Sequence, residues 1–138
     1  LGLDVGERRI GIALSDEGAM FASPLLTLTL SSLPEDIRSI LTLAATHACS
    51  TIVVGWPLEL SGREGLMARR VRAFCDHLRK DFAGEIIVVD ERFSTMEAER
   101  ALISGGVRRK QRKQVVDKVA ASLILQGFLD GSPSPSPQ

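Results

Sequence analysis

Four consecutive β-branched residues, Ile86-Ile87-Val88-Val89, narrow the architectures open to this chain. A run without polar alternation reads as a strand buried on both faces, the kind found inside a sheet that carries helices. Thr51 to Val54 is a second strand of this buried type, stopped by Gly55 and Pro57. Each is preceded by a helical pattern with its own start signal. Ser32-Leu33-Pro34-Glu35 is a capping box, and Ile37, Ile40, Leu41, Ala44, Ala45 and Ala48 follow at helical spacing. Ser61-Gly62-Arg63-Glu64 is another, followed by Met67, Val71, Phe74 and Leu78. A third, Ser94-Thr95-Met96-Glu97, opens a helix that Gly105-Gly106 ends, and a last helix is predicted from about Lys113 to Leu129.

The amino-terminal part alternates instead. Leu1, Leu3 and Val5 interleave with Gly2, Asp4 and Gly6, which predicts a strand closed by a glycine turn. Ile10 to Ser15 is a second strand, joined through Gly6-Glu7-Arg8-Arg9, a link short enough for a hairpin. Asp16-Glu17-Gly18 marks the next turn, and Phe21 to Leu30 a third strand in which Pro24 signals an edge or bulge. The order β-β-β-α-β-α-β-α-α predicts an α/β fold, a mixed five-stranded sheet flanked by helices.

A chain of 138 residues, 44% hydrophobic and 25% charged, fits one globular domain, here 1–130. Gly131 to Gln138 holds three prolines and three serines and reads as a disordered tail. The lack of an initial methionine predicts that residues precede Leu1. The apolar runs are too short to span a membrane, and no signal peptide is visible. Two cysteines exclude a disulfide scaffold and point to a reducing, cytoplasmic compartment.

Net charge is zero, yet it is unevenly spread. Residues 104–118 carry six basic side chains against Asp117 alone, a balance of +5 that leaves −5 for the rest. Such a segment can bind a polyanion. Arg108, Arg109, Lys110 and Lys113 follow Gly105-Gly106, so they read either as a solvated loop or as phosphate contacts. With five Phe, one Trp and no Tyr, base stacking is a poor source of affinity, and Phe21, Phe82 and Phe128 read as core.

Three acids stand out. Asp4 is mid-strand, where Asp is disfavoured, and its neighbours on that face, Gly2 and Gly6, have no side chains. Something bulky, such as a metal-bound phosphate, can therefore reach it. Asp90 and Glu91 end the fifth strand, and carboxyl ends of strands are where α/β sheets place ligands. Asp117 lies in the last helix on a face shared with Ala120, Ala121 and Ile124, whose small members let a helix approach the sheet. Each has a local alternative: a cap, a solvated terminus, an ion pair with Lys113. Together, carboxylates from two strands and a helix suit Mg²⁺ or Mn²⁺, and two such ions can serve phosphodiester hydrolysis without a histidine base.

Two other constellations carry less. His47, Cys49, Cys75 and His77 are the right types for zinc, but i and i+2 diverge on a helix. Asp4-Val5-Gly6 with Arg9 and Gly11 is similar to the first phosphate loop of actin-like ATPases, which need two copies of a related fold around a cleft.

Four motifs occur in order. They are Leu-Gly-Leu-Asp-Val-Gly (1–6) with Arg9-Ile10-Gly11-Ile12-Ala13, then Ile52 to Pro57 with Gly62 and Glu64-Gly65, then Asp90-Glu91-Arg92-Phe93-Ser94-Thr95, and last Asp117-Lys118-Val119-Ala120-Ala121. Together they resemble the YqgF/RuvX family of ribonuclease H-like nucleases over nearly the whole chain. Trp56 and Phe93-Ser94 depart from its pattern without touching a carboxylate. The resemblance implies a ribonuclease H-like fold and a metal-dependent hydrolase with Asp4, Glu91 and Asp117 as catalytic and metal-holding residues. The residues themselves are expected to take Mg²⁺ or Mn²⁺ as cofactor and nucleic acid as partner, with Arg9, Arg92, Arg108, Arg109, Lys110 and Lys113 on the substrate phosphates. Precursor 16S rRNA is the first implied substrate. A Holliday junction resolvase, which would act as a homodimer, and a non-catalytic RNA-binding protein of the ribosome remain alternatives.

Overall fold

A computed structural model describes residues 1–56, 65–90 and 109–131, with backbone alone for 109–117. Its five strands are β1 (Gly2–Val5), β2 (Arg9–Ser15), β3 (Ala22–Thr29), β4 (Thr51–Trp56) and β5 (Glu85–Asp90). Its described helices are α1 (Leu33–Thr46), α2 (Leu66–Asp81) and α3 (Arg109–Leu129). The sheet order is β3-β2-β1-β4-β5. β1, β2 and β3 pair antiparallel, whereas β4 runs parallel to β1 and β5 parallel to β4. This is the mixed sheet expected from the pattern: hairpin-linked strands first, then strands reached by helical crossovers.

Strand alternation sorts the core into two halves. Leu3, Val5, Ile10, Ile12, Ile52 and Val54 pack with residues of α1 and α2. Ala13 and Val53 face the other way, against Ala121, Ile124 and Leu125 of α3. The β2–β3 ladder shifts register between Ile12 and Ala13, close to Pro24, which has no N–H to give the ladder.

Local chemistry corrects several boundaries. Ser32 is the N-cap of α1, its hydroxyl accepting from the Glu35 N–H at 3.4 Å. The Glu35 carboxylate, however, accepts from the Ser31 hydroxyl at 2.8 Å, so its partner is Ser31. Helix α1 ends at Thr46, and Ala48, expected on the helix, takes a left-handed φ of 53° just beyond it. Helix α2 starts at Leu66 with Gly65 as an N-cap that lacks a side-chain bond, while the expected box at 61–64 lies outside the described residues. So do the helix expected from Ser94 to Gly105 and the tail beyond Gly131. Helix α3 begins at Arg109, four residues earlier than expected, because Arg, Lys and Gln are all good helix formers. Arg109, Lys110 and Lys113 are therefore helical, not loop, residues. Phe21, expected in the core, is 64% exposed. It sits one residue before β3, where its N–H and that of Met20 are held by the Asp16 carboxylate at 3.2 and 2.8 Å. Those bonds keep the Asp16 carboxyl below its ordinary pKa, so their contribution is present above that value and lost as pH falls through the lowered one.

Candidate active site

Helix α3 rests on β1 because Gly2 has no side chain. A Cβ at Gly2 would lie 2.8 Å from Leu125 Cβ and 3.1 Å from the Ala121 carbonyl oxygen, and both atoms are fixed to the helix backbone. Asp4, two residues on, shares this face of the sheet and is half-buried.

Glycines surround Asp4. Its direct partner on β2 is Gly11, which is buried. On its own chain Gly2 and Gly6 have the same parity. The parallel ladder to β4 pairs Leu3 with Val54, and the next residues along are Asp4 and Gly55. The floor around the carboxylate is therefore backbone. Gly11 and Gly55 as parts of this floor went unread in the sequence. A hairpin closed by the Gly6 N–H on the Arg9 carbonyl at 2.8 Å sets position 4 opposite position 11, so the turn length carried the signal for Gly11.

The direction of α3 follows from its far end. Leu125, Phe128 and Leu129 border the same cavity as Leu1 and Thr51, at the amino ends of β1 and β4. Toward its own amino end the helix passes Ala121 over Gly2 and runs to the carboxyl ends of those strands. Position 117 is one turn before Ala121, as Asp4 is one strand repeat beyond Gly2. Gln126 holds this register: its amide oxygen accepts from the Ala22 N–H at 2.8 Å, and its nitrogen donates to the Met20 carbonyl at 2.9 Å.

Arg9 opens β2 opposite Thr29, two residues from Gly11 and on its face, which is the face of Asp4. Asp90, the last residue of β5, has the parity of Ile86 and Val88, which pack on the α1–α2 side. It therefore lies on the sheet face opposite Asp4. Trp56 is on that far side too, with the Arg72 guanidinium 5.1 Å from its ring centre. Its departure from the family pattern thus leaves the Asp4 face unchanged.

Glu91, Arg92 and Arg108 lie outside the described residues, as do the side chains of Arg109, Lys110, Lys113 and Asp117. Of the three expected acids, only the Asp4 side chain is described. Among the described residues no group of three or more His, Cys, Asp or Glu side chains could hold a metal. The zinc reading ends there. Cys75 packs in the core instead, where burial pushes its thiol up to about 11.

Residues 1–131 match the model of the RuvX family, described as Holliday junction resolvase. A Clostridium tetani protein named "Putative pre-16S rRNA nuclease" is 43% identical over 130 residues, 94% of either chain. A Halothermothrix orenii protein of the same name is 45% identical over 130 residues, 94% of this chain and 93% of its own. Among solved structures, T. thermophilus RuvC in complex with Holliday junction substrate superposes with a TM-score of 0.60 at 13% identity, covering 98% and 97% of the two chains. Fowlpox virus resolvase follows at 0.55 and 8% identity, covering 94% and 95%. At those identities the structures establish the ribonuclease H-like fold, and the relatives establish more. No helix among the described residues is long and apolar enough to cross a membrane. With the family model matched almost end to end, and relatives above 40% identical along nearly their full length, this chain belongs to the RuvX family of nucleases.

Proposed function

We propose that this nuclease cleaves precursor 16S rRNA, with Asp4, Glu91 and Asp117 holding Mg²⁺ or Mn²⁺ and turning over the phosphodiester. The observation that carries the proposal is Asp4 itself. It is a half-buried acid on a central strand, floored by glycines, under a helix whose period brings position 117 to the next turn. Carboxylate oxygens are the donors that hard divalent ions take. Such an ion, once bound, supplies an activated water and neutralises the charge that develops on phosphate.

The chain's own residues do the rest. Gly11 and Gly55 place no side chain beside Asp4, which suits the approach of a phosphate. Glu91 follows directly after β5. Arg9 brings positive charge to the same face, with Arg92 and Arg108 assigned to further phosphates. Arg109, Lys110 and Lys113 lie up to eight residues before Asp117 on α3, about 12 Å of helix axis. One narrow basic track leading to one acidic site suits a single RNA strand. Cytoplasmic action fits ribosomal RNA as substrate.

Replacing Arg108, Arg109 and Lys110 by Ala is expected to weaken RNA binding with little sequence dependence. The plot of log affinity against log salt should flatten by about two units, at ~0.7 per lost contact to a single strand. An unchanged slope would remove this segment from the interface.

A second substrate has support of its own, because the RuvC neighbour is described with a Holliday junction and the family as junction resolvases. A four-way junction asks for two sites, and so for a homodimer. Both substrates should be titrated at matched salt with Mg²⁺ and with Mn²⁺, and the RNA ends sequenced. Cleavage of the precursor RNA at defined ends is expected. Paired, symmetric nicking of junctions without RNA cleavage would overturn the RNA assignment.

A further inference from the structure

The turn after β1 leads from Asp4 to a cleft on the other side of the sheet. Its volume is about 670 Å³, the size of a small-ligand site. Arg8 and Arg70 of α2 both line it, and both are exposed. Leu30, Leu33 and Phe74 give the cleft an apolar wall.

The backbone fixes Arg8. Its carbonyl accepts from the Leu30 N–H at 2.8 Å, and the preceding turn is closed by the Gly6–Arg9 bond. Its side chain is left to solvent. Among the described residues the Arg70 guanidinium makes one weak bond, to Met67 Sδ at 3.7 Å. Neither arginine has a carboxylate partner among the described residues. Two acids also border the cleft. Asp36 is buried, and one of its oxygens accepts from the Ser31 N–H at 3.1 Å and lies 3.4 Å from the Ser31 hydroxyl. Glu7 is exposed beside Arg8. Along α2, Arg69, Arg70 and Arg72 occur without an acid between Leu66 and Cys75.

We infer that this cleft is a nucleotide subsite for the substrate strand, with a phosphate between Arg8 and Arg70 and the attached base against Leu30, Leu33 and Phe74. The inference rests on the nuclease reading of Asp4. Arg8 is only four positions after Asp4, so a strand leaving the acidic site over the Gly6–Arg8 turn enters the cleft directly. Guanidinium groups that no described carboxylate pairs suit phosphate oxygens, and an apolar wall suits a base. An acidic peptide would find the arginines but gain little from that wall.

The test uses the full chain with Ca²⁺ in place of Mg²⁺ and a fluorescein-labelled single strand of twelve nucleotides, as RNA and as DNA of the same sequence. Arg8→Ala and Arg70→Ala are each expected to weaken binding about tenfold, the size of one charge-assisted contact. The double variant, which gives up the one shared phosphate, should flatten the salt slope by about 0.7 units. Ala73→Trp, which fills the cleft beside Phe74 and keeps both arginines, should weaken binding as well. A thermal midpoint close to that of the parent protein checks folding. Equal losses on both probes mark a contact led by phosphate, and larger losses on RNA add the ribose hydroxyl. Unchanged affinity and slope in the double variant, with the parent binding both strands, would overturn the subsite alone. Failure of the parent to bind either strand would overturn the nuclease reading and the subsite with it.

Discussion

Asp4→Asn is expected to lower metal-dependent cleavage by about 10³-fold, the scale of losing one principal electrostatic contact to a transition state. Asn keeps the shape of the side chain and much of its hydrogen bonding, so the half-buried position on β1 stays filled. What it removes is charge. Carboxylates gathered without an ion repel one another, and neutralising one relieves that repulsion. The thermal midpoint of the metal-free variant should therefore stay within about 4 °C of the parent or rise. Midpoint and rate are best measured on the same preparation. A deep fall in midpoint would make Asp4 a structural residue and end its assignment to the site.

Gly2→Ala is expected to act through geometry. Its new methyl would meet Leu125 Cβ and the Ala121 carbonyl at distances that neither atom can relieve without moving α3. Overpacking of this kind costs about 1–3 kcal/mol. The functional loss should exceed what that fraction of unfolded protein explains, because α3 also carries Asp117. A displacement near 1 Å at a reacting centre can cost about 10²-fold in rate. Cleavage per folded molecule should fall on that scale, together with the affinity for Mn²⁺. Lower stability with undiminished cleavage by the folded fraction would separate α3 from the site.

Much of this arrangement was legible because it depends on short-range periodicity. Alternation put Leu3 and Val5 on one face and Gly2 and Asp4 on the other, and Ala120 and Ala121 announced a close helix. Both alanines are fully buried. Ends of elements were harder. Ala48 continues the apolar spacing of α1, yet the chain has already turned left-handed there, and spacing alone does not register a change in φ. Phe21 reads as core because it is aromatic at the first position of an expected strand, but the Asp16 carboxylate takes its N–H into a turn. The basic run before Asp117 read as loop since its charges mask a helical preference. Gly55 became part of the Asp4 floor only through pairing of β1 with β4, whose sequence separation of about fifty residues no local pattern spans.

The most direct measurement is Mn²⁺ binding, followed by electron paramagnetic resonance, for the parent chain and for Asp4→Asn, Glu91→Gln and Asp117→Asn. Cleavage of a precursor 16S rRNA fragment is then recorded across the same titration. Cleavage should rise with Mn²⁺ occupancy in the parent, and each variant should lose both in parallel while remaining folded. Undiminished Mn²⁺ binding and cleavage in the three variants, or cleavage that persists in excess chelator, would contradict a carboxylate-held metal as the seat of catalysis.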